Sequence, residues 1–186
     1  MSEALDIAAN RRARKWTRGE LAGRVLWSLS RPLFRFSPRL LWGWRRGLLR
    51  LFGARIGRDV HIHPTASVTI PWNLRAEAYA AIGHAVQVDN LGPVFIGRAA
   101  TLSRGVHICA GTHDHTCPDL PLVKAGITIE DGVWVCADAF VGPDVTVASH
   151  AIVGARAVVM QDVPAWTIVA GNPARPIRSR EPFSPS

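Results

Sequence analysis

A six-residue beat constrains this chain more than any other feature of its sequence. Ile129, Val135, Val141, Val147, Val153 and Val159 follow one another at intervals of six without a miss. Ile and Val make up 30 of the 186 residues. Six in one phase would therefore arise by chance roughly a few times in 100,000, and an internal repeat outranks other clues to fold. The fourth place after each is also small or branched: Val133, Ala139, Val145, Ala151, Ala157 and Val163. A period of six fits neither an amphipathic helix at 3.6 nor a continuous strand at 2. It predicts a coiled stack of short strands that turns a corner once per hexad.

The beat extends upstream through Ile56, Ile62 and Val68, with Val60 and Ala66 in fourth place. It fades, returns at Ile82 and Val88, skips, and resumes at Ile96, Leu102 and Ile108 with Ala100, Val106 and Thr112. Gly and Asp gather between the aliphatics, as in Gly57-Arg58-Asp59, Glu130-Asp131-Gly132 and Gly142-Pro143-Asp144. Those residues suit corners, where Gly supplies unusual backbone angles and Asp bonds its own backbone. One coil cannot bury its apolar face alone, so several must stack.

Three further features carry a resemblance. The hexads stop after Thr112-His113-Asp114, where the loop Asp114-His115-Thr116-Cys117-Pro118-Asp119-Leu120-Pro121 interrupts the coil. They resume at Ile127. The chain then closes with Ala170-Gly171-Asn172-Pro173-Ala174-Arg175-Pro176. With the repeat, these motifs resemble the hexapeptide-repeat acyltransferases, in particular the branch that O-acetylates colanic acid and other exopolysaccharide sugars. The resemblance covers roughly residues 53–180. It implies a mainly β fold, a left-handed parallel β-helix of hexapeptide repeats with an N-terminal helical arm. The handedness comes from the resemblance alone, because parallel crossovers are normally right-handed.

The expected organisation is a basic, Trp-rich arm over 1–52, the β-helix over 53–180 with a loop insertion at 113–126, and a tail at 181–186. Residues 11–50 hold 12 Lys and Arg against the single acid Glu20, whereas 51–186 hold 10 against 11. The net charge of +8 is therefore a property of the arm. Leu40, Trp44, Leu48 and Phe52 recur at fours, which predicts an amphipathic helix over 39–52 opened by Pro38. A second helix is expected from about Trp16 to Ser30, stopped by Pro32. Three readings of the arm compete: a cap on the open end of the stack, a peripheral contact with an anionic membrane, and nucleic-acid binding. No recognition motif accompanies the last, so no nucleic-acid partner is expected.

Three scattered cysteines form no disulfide framework. The first twenty residues lack the apolar stretch of a cleavable signal, and no uncharged apolar run reaches the eighteen residues of a spanning helix. A cytoplasmic protein, peripheral at most to the inner face of the membrane, is the expectation.

Chemistry is expected where the repeat breaks, because solenoid insertions map to loops on one face. The resemblance makes His113 the general base that takes a proton from an acceptor hydroxyl as it attacks the thioester of acetyl-CoA. Imidazole suits the task because its unperturbed pKa is near 6.5. Asp89, Asn90, Asp114, His115 and His84 are the candidate acceptor contacts. The resemblance places coenzyme A along Trp134, Ala137 and Ala155, with Arg175 and Arg178 on its phosphates. Relatives often carry a Thr-Lys pair where this chain has Met160-Gln161, so Arg156 or Arg180 is a candidate to share that grip. A homotrimer with sites between subunits is also implied. So is a sugar or lipid-linked saccharide acceptor, and no metal. Two rivals remain. One is a non-catalytic or membrane-recruited β-helix assembly protein. The other is a zinc enzyme: His107, Cys109, His113, His115 and Cys117 are dense in zinc-type ligands, although their spacing matches no common zinc pattern, and His107 and His113 are six apart where the similar γ-type carbonic anhydrases have ligand histidines five apart.

Overall fold

A computed structural model describes residues 5–183; residues 1–4 of the arm and 184–186 of the tail lie outside it. From Arg55 onward the chain winds as a β-solenoid of three parallel sheets, one per side of a prism. Strands from about one coil apart stack in register. On the first face Arg55 lies beside Arg75, Arg75 beside Phe95, Phe95 beside Thr128, and Thr128 beside Thr146. The second face stacks six parallel strands, from His61–Ile62 through to Thr167–Ala170. The third runs from Ser67–Val68 to Val158–Val159.

The hexad aliphatics form the core. Ile129, Val135, Val141, Val147, Val153 and Val159 are all buried, as are their fourth-place partners Val133 to Val163 and the upstream beat from Ile56 to Ile108. Thr112 departs from the pattern. It is exposed, because the chain has already left the prism and opened a hairpin; Ala110 fills the core instead.

Corners repeat as regularly as strands. Asp59, Tyr79, Ala99, Gly132, His150 and Trp166 mark one edge, each with positive φ. Their amides climb from coil to coil, Tyr79 to the Arg58 carbonyl and Ala99 to that of Ala78. Gly132 is required there, since a Cβ would collide with the His150 ring.

The faded stretch of the beat has a simple cause. The first coils are 20 residues long, not 18, as the pairs His61–Ala81 and Ala81–Thr101 show. Both extra residues fall at the edge between the third and first faces, at the 3-10 turn Pro71–Asn73 and at Leu91–Pro93.

The arm contains α1 (Ile7–Arg12), α2 (Arg18–Arg35) and α3 (Trp42–Leu51). It departs from expectation in three ways. Helix α1 was not anticipated. Helix α2 runs through Pro32 because Trp27 and Phe34, on one side of it, are both buried against the solenoid. Helix α3 starts later than Pro38, and it buries Arg45, Leu48 and Leu49 rather than the Leu40–Trp44 stripe, which is exposed.

Three of the twelve basic residues of 11–50 serve the open end of the solenoid. The first coil has no neighbour below it, so its carbonyls need donors. Arg45 donates Nε to the Ile62 carbonyl at 2.6 Å and Arg46 donates to that of Val60 at 3.2 Å. Arg50 donates twice to Ile56, and the Trp27 indole N–H donates to Val68. Arg45 is fully buried with only carbonyl and hydroxyl acceptors, and burial lowers its pKa. The arm thus caps the open end with cationic donors.

Candidate active site

The third coil is broken between His107–Cys109 and Ile127–Ile129, at the same edge that holds the shorter insertions. Thr112–His113 and Leu122–Val123 pair antiparallel across the loop and lift it off the prism. His113 is exposed on this hairpin. Its Nδ1 lies 2.7 Å from the Leu120 carbonyl oxygen. A carbonyl oxygen only accepts, so Nδ1 must carry the proton. In the neutral ring Nε2 is then the bare nitrogen, free to act as a base.

Asp114 shapes the loop. Its Oδ1 accepts from the Thr116 hydroxyl at 2.6 Å and the Thr116 N–H at 2.9 Å, and its Oδ2 takes the Cys117 thiol at 3.5 Å. These bonds, the hydroxyl first, hold the Asp114 carboxyl below its ordinary value; the same contact raises the Cys117 thiol. His115 is exposed beside them.

The other expected acceptor contacts separate. Asp89 lies on the third face at the base of the loop, with Cys109 as its register partner. It accepts from the Thr69 hydroxyl at 2.9 Å and pairs with His107 Nε2 at 2.8 Å. Its side chain remains 43% exposed, so one side is open to a ligand. Asn90 is different, and its expected contact with an acceptor is corrected here. It is fully buried, accepting from the Ile70 N–H and donating to the Ile70 carbonyl. Both ends of its amide are spent on turning the corner. His84 sits on another edge, after the second-face strand Ala81–Ile82, edge-on to His63 at 4.9 Å. It does not join the His113 loop.

The cofactor candidates lie on the later coils. Trp134 is half-exposed on the second face, and its indole N–H donates to the Ser103 hydroxyl at 2.9 Å. Ala137 and Ala155 occupy successive turns of one corner, where the Arg156 N–H reaches the Ala137 carbonyl. The tail bends at Gly171, and Ala174 donates back to the Val158 carbonyl. This docks Arg175 beside Met160 and Gln161 in a cavity of about 360 Å³. Arg178 is exposed on the tail strand Arg175–Ser179. Arg180 is committed elsewhere, to the Gly132 and His150 carbonyls, and Arg156 stands 4.0 Å from Asp138.

The zinc-type residues do not converge: among the described residues no three His, Cys, Asp or Glu side chains come together. His107 is paired with Asp89, and His113 with Leu120. The zinc rival therefore has no ligand set in this geometry.

Two contacts of the site are not expected from the sequence, the Leu120 carbonyl on His113 and His107 on Asp89. Leu120 carried no signal, because its contribution is a backbone oxygen. The contact of His107 with Asp89 was in principle legible, since the two are about a coil apart.

Comparison with known proteins places the chain. It is 39% identical over 154 residues to WcaF of Escherichia coli K12, assigned as an acetyltransferase of colanic acid biosynthesis. That match spans 83% of this chain and 85% of WcaF. The Shigella flexneri protein of the same name matches equally. No family model matches. Among solved structures, a hexapeptide-repeat acetyltransferase from Vibrio cholerae superposes with a TM-score of 0.81 at 24% identity, over 89% of this chain and 95% of that one. A galactoside acetyltransferase in complex with coenzyme A superposes with a TM-score of 0.67 at 21% identity, over 94% and 89%. The chain belongs to the hexapeptide-repeat acetyltransferases, with WcaF as a relative along most of its length.

Proposed function

We propose that this protein transfers an acetyl group from acetyl-CoA to a sugar hydroxyl during polysaccharide assembly, directly and without an acyl-enzyme. The observation that carries the reading is the His113–Leu120 hydrogen bond, which leaves Nε2 as the free base on an exposed hairpin. Nε2 takes the proton of the acceptor hydroxyl while its oxygen attacks the thioester carbonyl. The C–S bond then breaks, and the proton passes from His113 to the leaving sulfur. A base so placed contributes about 10²–10⁴-fold, and holding both substrates together removes much of the remaining entropic barrier.

Coenzyme A fits the later coils. Small corner residues at Ala137 and Ala155 admit its pantetheine arm, and Arg175 and Arg178 offer forked donors for its phosphates. Met160-Gln161 supplies no cation to that end, so the arginines hold the phosphates with less help. Asp89, backed by Thr69 and His107, is the carboxylate best placed to accept a sugar hydroxyl. The working unit is a homotrimer in which a neighbouring protomer closes the site over His113, excluding water.

Helix α2 supplies the acceptor side with a surface. Leu21, Val25, Leu29 and Leu33 recur at fours on its solvent side, and Leu29 and Phe36 are 73% and 81% exposed. Arg24, Arg31 and Arg35 line one border of this face. An apolar face edged by arginine matches an anionic bilayer, in which it would lie in plane. No helix among the described residues is long and apolar enough to cross a membrane. We therefore place the protein peripherally, where a lipid-linked saccharide would be presented.

The test is thiol release from acetyl-CoA across a panel of activated sugars and lipid-linked oligosaccharides. Release that requires one acceptor and disappears in His113→Ala supports the reading. Undiminished acceptor-dependent release in that variant sinks the base. The membrane contact is checked by co-sedimentation with phosphatidylglycerol vesicles; binding that survives Leu29→Glu with Phe36→Glu refutes it.

A further inference from the structure

We propose that Asn10, on the N-terminal arm, is a positioning residue for His113, acting through the Leu120 carbonyl; this rests on the reading of His113 as the base. The Asn10 Nδ2 amide donates to the Asp119 carbonyl at 2.6 Å and to the Leu120 carbonyl at 2.6 Å. The Leu120 oxygen therefore accepts from two directions, from Asn10 and from His113 Nδ1. Both of its lone pairs are taken.

The orientation of the Asn10 amide is fixed by its other end. Lys15 Nζ, which can only donate, contacts Asn10 Oδ1 at 2.6 Å. The oxygen must face Lys15, so the NH₂ must face the loop. The arm grips the same loop at two more places. The Asp6 N–H donates to the Pro118 carbonyl at 2.8 Å, while Asp6 Oδ1 caps α1. Lys124 lies 3.8 Å from Glu20 and 3.8 Å from the Trp16 ring centroid.

Leu120 needs such support. Its φ is +43°, a left-handed conformation that a non-glycine residue adopts only when its surroundings impose it. The hairpin stands off the prism, and the surroundings include an arm more than a hundred residues away in sequence. Asn10 thereby aims the carbonyl that selects the Nδ1–H tautomer and holds the imidazole plane. Without it the Leu120 carbonyl is free to turn to water, and His113 loses both. Groups that orient a metal-bound histidine through its second nitrogen are typically worth about 10–100-fold in metal affinity or activity, and the same scale is expected for a base held in the same way.

The decisive variant is Asn10→Asp in the full chain, because it keeps the side chain's size and its contact with Lys15 while removing both N–H donors. The His113 imidazole nitrogens are followed by ¹⁵N NMR, assigned by their loss in His113→Gln. Expected are a fall in the Nδ1–H tautomer and a kcat lower by about 10–100-fold. KM for acetyl-CoA should stay unchanged, since the cofactor groove lies on other coils. An unchanged tautomer, an unchanged kcat, or a rise in KM that matches the loss of kcat would each overturn the proposal. Should Asn10→Asp loosen the whole arm and lower Tm, Asn10→Gln decides, because it restores the donors: recovery of the tautomer and of kcat supports positioning, and no recovery refutes it. If His113→Gln retains full activity, the base assignment fails. The imidazole spectrum of Asn10→Asp still reports separately whether Asn10 sets the tautomer.

Discussion

The two halves of the solenoid build the same prism from coils of different length. Residues 127–159 step by 18, so that Thr128 meets Thr146 and Phe140 meets Val158. Residues 54–110 step by 20, with Ser67 beside Gln87 and Gln87 beside His107. The extra residues never enter a face. They gather at one edge, as two residues in each early coil and as the long loop in the third, where His107 to Phe140 takes 33. A face cannot absorb an insertion, because one added residue would rotate every core side chain to solvent. A corner can. The edge that tolerates extra chain is therefore where a side chain can be projected off the prism, while the later coils run without interruption. In the proposed reaction the difference sets the acceptor side apart from the cofactor side along one axis.

Removing the proposed base tests the irregular half most severely. His113→Ala should lower sugar-dependent acetyl transfer by about 10²–10⁴-fold with an unchanged melting curve, because the ring is exposed. A comparable fall in Tm would mean that the loop is structural. In the regular half, Ile129→Ala should cost about 2–5 kcal/mol of stability, read by urea unfolding, since a fully buried side chain is removed from a stacked core. A loss under 1 kcal/mol would mean that the coils collapse independently of the beat.

Arg45→Met probes the cap. It removes four hydrogen bonds from a buried guanidinium and leaves the Ile62 carbonyl bare. We expect about 1–3 kcal/mol of destabilisation. Hydrogen exchange should rise in the first coil and stay flat near Val153. Arg175→Ala should raise KM for acetyl-CoA by about ten- to a hundredfold, the worth of a charge-assisted phosphate contact, with kcat little altered. The smallest effect expected is on pH. The folded Asp114 carboxyl lies below its ordinary value, so its bonds to Thr116 steady the loop above that ordinary value. They are lost as pH falls through the depressed one. Amide exchange over 113–122 should therefore quicken in acid before that of the coils does.

Much of this is legible in the sequence. The hexad beat announced a stacked coil, and the break after His113 announced where it opens. The tail motif was legible as well, and the structure docks its Arg175 beside Met160. The beat fades in the early part of the chain because the coils there are 20 residues long, and only the register of neighbouring strands exposes that. Asn90 misled for a related reason. A corner amide facing inward and one facing out read identically in sequence, and burial against Ile70 decides between them. The arm left a cap, a membrane contact and nucleic-acid binding in competition, and the directions of Arg45, Arg46 and Arg50, toward backbone carbonyls of the first coil, are seen only in three dimensions.

What the sequence by itself determined is periodic: which side chains face inward, how often the chain turns, and where the turning is interrupted. Periodicity is a local property, set by the alternation of apolar and corner residues within a few positions. What only the tertiary structure decided is every contact between stretches distant in sequence. Among these are the pairing of Asp89 with His107, the capping of an open coil by arginines, and the meeting of Asn10 and His113 on one carbonyl oxygen. These depend on directions and distances in space, which a linear order of residues does not encode position by position.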